Sequence, residues 1–324
     1  MTVRSTTLSQ SNIPATIKTF APFLVFFVLL AVITLVQSNF VTGVGLQILA
    51  YQATPILLLG LGQYGVIQLG RIDLSSATIA VLTSVTVAQL LGPLGIWAPV
   101  VTVLIGASAG LINGLIITYF QVPSFAVTLG SIGIWQSVSL VITNEETIYV
   151  AANGDVISWL DNWQIGGYAA EVFVALGFAV VFWGGMQFTR IGTFLRSAGL
   201  NEKASILSGL PVTGITVGAF VVSGAMSALA GTVLAAQQGA ASASGLGVGL
   251  LLPSIAATIC GGVALTGGVG NVFNVVAGAL LIALVPVGSS ALGVDPKYQQ
   301  IVYGVIVILA VIMTIDRKKI KIVK

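Results

Sequence analysis

Apolar residues run through this chain in long unbroken stretches, not in alternation with polar ones. Phe20–Val36 and Val212–Ala236 are the clearest. Both fall in the length range of a bilayer-spanning helix, which needs roughly 20 apolar residues. A membrane barrel would instead show alternation in strands of about ten residues. Ten such segments predict ten spans, near 19–36, 47–69, 74–91, 97–119, 123–142, 169–188, 212–236, 250–265, 270–290 and 298–315. The expected fold class is an all-α membrane protein: a polytopic helical bundle forming one transmembrane domain over 1–324.

Polar positions then set the topology. Only 6% of the 324 residues are charged, against 56% hydrophobic, and the mean hydropathy is +1.07. A soluble domain carries about 25% charged residues, so a water-soluble fold is excluded. The net charge of +3 sits at membrane edges: Arg4 and Lys18 at the start, then an island at 189–211, then Arg317, Lys318, Lys319, Lys321 and Lys324 in the tail. Such placement follows the positive-inside bias and is not a nucleic-acid signal. The island, Thr189–Pro211, carries Arg190, Arg196 and Lys203 against Glu202. It is expected in the cytoplasm with the N-terminus (1–18) and the basic tail (316–324). The segment at 143–168 is expected outside, where the charges Glu145, Glu146, Asp155, Asp161 and, just beyond, Glu171 are all acidic. The first apolar stretch is too long for a cleavable signal and reads as a retained span.

An even span count about a central feature suggests two inverted halves. Gly70–Val81 after the second span and Gly249–Ile259 after the seventh echo each other weakly, on opposite sides of the expected topology.

Candidate chemistry is sparse. There is no histidine and one cysteine, Cys260. That argues against metal and haem sites and against serine–histidine or cysteine–histidine catalysis; no cofactor and no enzyme activity are expected. Arg71 and Asp73 are the only charges between Lys18 and Glu145. Two readings stay open for them. One is a tight turn in which Asp73, through Ser75 and Ser76, caps the next helix. The other is a loop dipping into the bundle toward a solute path, where charges inside membranes usually lie. Gly261, Gly262, Gly267, Gly268 and Gly270, followed by Asn271, lack the lysine of a phosphate loop and suggest a broken or re-entrant turn. Gly106, Gly110 and Gly114 form a stripe for close helix packing. Gln52, Gln63, Gln68, Asn113 and Gln136 are amides inside predicted spans. They are either satisfied by neighbouring helices or, beside Tyr64 and Trp135, suited to an uncharged polyhydroxylated solute. No chain of intramembrane carboxylates favours an ion-driven carrier.

Several motifs resemble those of the membrane permeases of bacterial ABC importers of the ribose, xylose and arabinose type. Gly70-Arg-Ile-Asp-Leu-Ser-Ser resembles the family's GGIDLS segment, and Thr189-Arg-Ile-Gly-Thr the opening of its cytoplasmic loop. Ala198–Leu210 is similar to A-x-G-G-N-x-x-A-A-x-x-S-G-I, and Gly261–Gly270 to GG-T-S-L-x-GG-x-G. Tyr298-Gln-Gln resembles the carboxyl end.

The resemblance implies a permease of the bacterial inner membrane that dimerises. It would accept a small polar solute, foremost a monosaccharide, from an extracytoplasmic binding protein and dock on separate ATP-binding cassette subunits. Nucleosides, sugar-derived signals and a stand-alone secondary carrier remain alternatives. The island becomes a coupling loop carried by Arg190, Gly192, Phe194, Arg196, Ala198, Gly199, Asn201, Glu202, Ala204, Ser208 and Gly209. Phe194, Leu195, Ala198, Ile206 and Leu207 are expected to share an apolar face, and tryptophan at Gly199 or Ala204 to uncouple the ATPase with the fold intact. Departures are Arg71 for a glycine, Thr193 for a basic residue, Ala264 for a serine, and Leu251–Ser254 where an acid often precedes Ile255-Ala-Ala. The missing acid suggests a non-identical second permease subunit, with homodimer and heterodimer both open.

Overall fold

The computed structural model describes residues 15–244 and 249–295, together with 297, 298, 301, 304, 305 and 308. The expected span at 298–315 lies largely outside the described residues, and the tail at 316–324 and residues 1–14 lie wholly outside them. Long helices occupy the other apolar segments. They are α1 (Ala15–Val36), α3 (Gly45–Gln68), α4 (Ser76–Leu94), α5 (Ala98–Tyr119), α6 (Ser124–Thr143), α8 (Ala170–Phe188), α11 (Val212–Gln238) and α13 (Val272–Ala291). Short helices connect them: α2 (Asn39–Thr42), α7 (Asp155–Asn162), α9 (Arg190–Leu200), α10 (Glu202–Leu207) and α12 (Leu251–Cys260). Among the described residues six apolar helical stretches are long enough to cross a membrane, and one of them, Ser76–Tyr119, contains both α4 and α5. Pro93 and a left-handed Gly95 (φ +51°) fold these two back on each other. Their far ends meet where Asn113 Nδ2 donates to Ser75 Oγ at 2.8 Å. The protein is thus a multi-pass helical membrane protein.

One expected span is not a continuous helix. The segment at 250–265 forms only the ten residues of α12, about 15 Å of rise against a hydrocarbon core of about 30 Å. Gly261 and Gly262 end the helix, and Gly262 adopts a left-handed φ of +79°. Past the helix Gly261 packs against the Asn274 backbone and Val263 is buried, which is where non-helical backbone can be accommodated.

Composition does not distinguish central from peripheral helices, since all are apolar. In α13, α11 and α3, 78%, 67% and 61% of the most apolar window is buried, against 17% in α6 and 22% in α8. Helix α11 packs on α3, α4 and α5. The glycine stripe explains one of these contacts. A β-carbon at Gly106, Gly110 or Gly114 would collide with the α11 backbone near Gly224, Phe220 or Val217. With little hydrophobic drive between helices in lipid, such backbone-to-backbone approach is what holds them.

Two small antiparallel ladders mark the face opposite α9 and α10. Strand β1 (Ile148–Tyr149) pairs with β4 (Ala240–Ala241), Ile148 opposite Ala241. Strand β2 (Gln164–Ile165) pairs with β3 (Tyr168–Ala169), Gln164 opposite Ala169. Helix α7 packs there against α11 and α8.

Replacing Gly110 by alanine is expected to destabilise the chain by about 1–3 kcal/mol through overpacking against Phe220. Gly130→Ala, with nothing within 4 Å, should be neutral or slightly stabilising. Thermal unfolding in detergent distinguishes them; equal behaviour would contradict this packing.

Candidate functional site

The turn between α3 and α4 enters the bundle. Asp73 is fully buried. Its Oδ1 accepts from Ser75 N at 2.9 Å and Ser75 Oγ at 2.6 Å, and its Oδ2 from Ser223 Oγ of α11 at 2.7 Å. Gln63 of α3 donates to the Asp73 carbonyl and, at 3.0 Å, to Ser76 Oγ. Asn113 of α5 reaches Ser75, and Ser131 of α6 donates to Asn113 Oδ1 at 2.6 Å. One connected network therefore draws on α3, α4, α5, α6 and α11. Among the described residues no lysine or arginine forms an ion pair with Asp73. Of the two sequence readings, elements of both hold. The carboxylate does bond the Ser75 amide at the start of α4, yet it also lies inside the bundle and grips a helix 150 residues away.

Two residues earlier, Arg71 Nη2 meets Glu202 Oε1 of α10 at 2.9 Å, with side-chain exposures of 21% and 49%. A partly exposed pair of this kind contributes about 0–1 kcal/mol, so its interest is in what it joins. Beside it, the Gln68 carbonyl accepts from Gly268 N at 2.8 Å. Gly199 of α9 packs so closely that a β-carbon would collide with the Gln68 carbonyl and the Gly268 amide. Gly267 and Gly268 adopt φ of +86° and +75°, which glycine alone takes freely. Tyr64 is 1% exposed, donates to the Gly270 carbonyl at 3.4 Å and interacts with Arg196 of α9. The α3–α4 turn, the glycine loop and α9 thus meet in one junction.

This geometry corrects several expectations. Gly199 is a contact to the bundle and not a free docking position. The expected apolar face of the island is split: Leu195 and Ala198 are buried, Phe194 is half-buried, and Ile206 and Leu207 are exposed, with exposed Ile191 and Leu200 outside the expected set. The island forms two helices, with Asn201 capping α10 by accepting from Ala204 N; Thr189 caps α9 likewise. Gly192 is buried against Met186, whereas Arg190, Glu202, Ala204, Ser208 and Gly209 are exposed. Asn271 serves as the N-cap of α13, accepting from Phe273 N. Gly261 packs against the Asn274 backbone.

Neither Trp135 nor Gln136 hydrogen-bonds into the Asp73 network among the described residues. Gln136 Nε2 instead donates to Ala243 O at 2.6 Å, near β4. Glu171, expected among exposed outer charges, is fully buried in the first turn of α8. Its Oε1 accepts from Gln237 at 2.6 Å, and Gln237 is tied to Tyr51 in both directions. Burial also raises the Asp161 carboxyl above its usual range. Ser131, Ser223 and Gln237 were not singled out by the sequence. A serine in an apolar helix ordinarily bonds its own backbone, so nothing local marks one that reaches another helix.

Tryptophan at Gly199 is accordingly expected to lower the unfolding temperature and disrupt the bundle. Tryptophan at exposed Ala204 should leave unfolding unchanged. Equal melting of the two variants would contradict the junction.

Comparison with known proteins places these features in context. The family model described as branched-chain amino acid transport system / permease component matches residues 45–311. The ribose import permease protein of Bacillus subtilis (strain 168) is 30% identical over 303 residues, covering 92% of either chain. The D-allose transport system permease protein of Escherichia coli (strain K12) is 30% identical, over 88% of this chain and 89% of its own. The L-arabinose ABC transporter permease protein of Azospirillum brasilense is 30% identical, over 89% and 85%. No solved structure matches.

Proposed function

The chain belongs to the family of transport-system permease components just described, and we propose that it is the membrane subunit of an ATP-driven importer for a monosaccharide. The observation that carries this is the near full-length similarity to permeases for ribose, allose and arabinose. The family description speaks of branched-chain amino acids. The sugar reading is preferred because these relatives align over about nine-tenths of the chain.

In this reading ATP hydrolysis belongs to separate ATP-binding subunits, solute arrives from an extracytoplasmic binding protein, and a second permease subunit completes the path. The protein lies in the bacterial inner membrane with 1–18, 189–211 and 316–324 in the cytoplasm and 143–168 outside. Ten crossings in two inverted halves fit the chain if 298–315 spans and if α12 with its non-helical flanks counts as one. Supporting that count, the chain leaves β4 on the α7 face and reaches the glycine loop at the α9 face. The exposed side of α9 and α10, with Arg190, Glu202, Ala204, Ile206 and Leu207, is the surface offered to the ATPase. A push there has a direct route inward: α9 through Gly199 to the glycine loop, and α10 through Glu202 to Arg71 and so to Asp73. The path candidates are Gln63, Tyr64, Asp73, Ser75 and Asn113.

Reconstitution in proteoliposomes with an ATP-binding subunit and a binding protein should give sugar uptake that requires ATP. Asp73→Asn should reduce it several-fold more than Asp155→Asn, whose side chain lies on α7 outside the network. Uptake that ignores ATP and follows a sodium or proton gradient would overturn the proposal.

A further inference from the structure

A cavity of about 220 Å³ opens on the α9–α10 side of the bundle, between the ends of α5 and α10 and the start of α11. Its polar lining includes Arg71, Glu202, Gln121, Thr213 and Thr216, and its apolar wall includes Ile117. Thr216 is the unusual member. It is 1% exposed. The nine other buried threonines of the described residues, such as Thr102, Thr128 and Thr232, each donate their hydroxyl to a helix carbonyl. Thr216 makes no side-chain hydrogen bond among the described residues and borders the cavity. Its oxygen is open to the cavity and not sealed in the core, so its donor and acceptor capacity is available to an occupant.

The lining also says what kind of occupant. Arg71 and Glu202 neutralise each other at 2.9 Å, which removes the attraction a lone arginine would have for an anion. What remains is a guanidinium with spare donors, a carboxylate with spare acceptor capacity, and hydroxyls that do both. Neighbouring hydroxyls on one small molecule match that alternation. The volume is below the roughly 300–1,000 Å³ of drug-sized pockets and suits a sugar-sized solute.

We propose that this cavity is a binding site for a small neutral polyhydroxylated molecule, held by the Arg71–Glu202 pair and the Thr216 hydroxyl. The proposal rests on the monosaccharide reading and extends it by giving the solute a site on the α9–α10 side. An occupant there touches both the α3–α4 turn and α10. In the proposed orientation it would enter from the cytoplasm, so accumulated solute bears on the joint that links the island to Asp73.

The test is ligand binding to the purified full chain in lipid nanodiscs, with no ATP or partner proteins. The probes are D-ribose, D-allose, L-arabinose and D-fructose, with ribose 5-phosphate as the anionic comparison. Saturable binding of at least one neutral sugar is expected. It should weaken about tenfold or more in Thr216→Val and in Glu202→Gln, and be retained in Thr216→Ser. The serine and glutamine variants keep the test decisive should the valine variant fold poorly. Absence of neutral-sugar binding, equal binding by Glu202→Gln and the unsubstituted chain, or binding of the phosphate alone would overturn the proposal. Because the assay omits ATP, its failure leaves the uptake test untouched, and failed uptake leaves a positive binding result standing.

Discussion

A carboxylate inside a bilayer protein must be satisfied by the protein itself, and Asp73 is where this chain meets that constraint. Among the described residues no cation pairs with it. Both oxygens accept hydroxyl or amide protons, and the donors come from α4 and α11. Ser75 is in turn held by Asn113 and Asn113 by Ser131, while Gln63 ties Ser76 to the same turn, so that all three join the cluster. Removing one member of such a network strands buried polar groups, which costs more than the bond itself is worth. The cluster therefore dictates how five helices converge at one depth.

Glycine handles the rest of the problem. Along α5 it lets the backbone of α11 approach directly. At the junction of the α3–α4 turn, the glycine loop and α9, it brings three backbones within contact where any side chain would hold them apart. The two devices are adjacent. Gly70 packs on the carbonyl of Thr266, Arg71 pairs with Glu202, and Asp73 anchors to Ser223, all within four residues. A displacement of α9 or α10 thus has a short, stiff route to the buried network. That is the physical content of coupling in the proposed importer.

Much of this was legible in the sequence. The long apolar runs located α3, α4, α5, α6, α8, α11 and α13 because each is continuous and long. Arg71 and Asp73 stood out as isolated charges, and the stripe at Gly106, Gly110 and Gly114 foretold a close helix pair. Three things were hidden. The ten-residue α12 reads as a span because Val263, Ala264 and Leu265 continue its apolar run past the glycines that end it. Ser131 and Ser223 look like ordinary helix serines until a partner from another helix is known. Glu171 looks like a surface charge because burial near the end of a span depends on Gln237 and Tyr51, far away in sequence. Gly199 was grouped with the coupling loop as a position free to take a tryptophan, whereas it contacts the bundle, which only the fold reveals. Gln136, grouped with the path by residue type, bonds Ala243 instead, and Trp135 Nε1 is buried without a partner among the described residues.

The claim on which the account turns is that Asp73 and Ser223 bind the α3–α4 turn to α11. A double-mutant cycle measures it: unfolding of the purified chain, Asp73→Asn, Ser223→Ala and the double variant in the same detergent. The account predicts a coupling of about 1 kcal/mol or more, with the second substitution costing much less once the first is made. Strictly additive losses would contradict it.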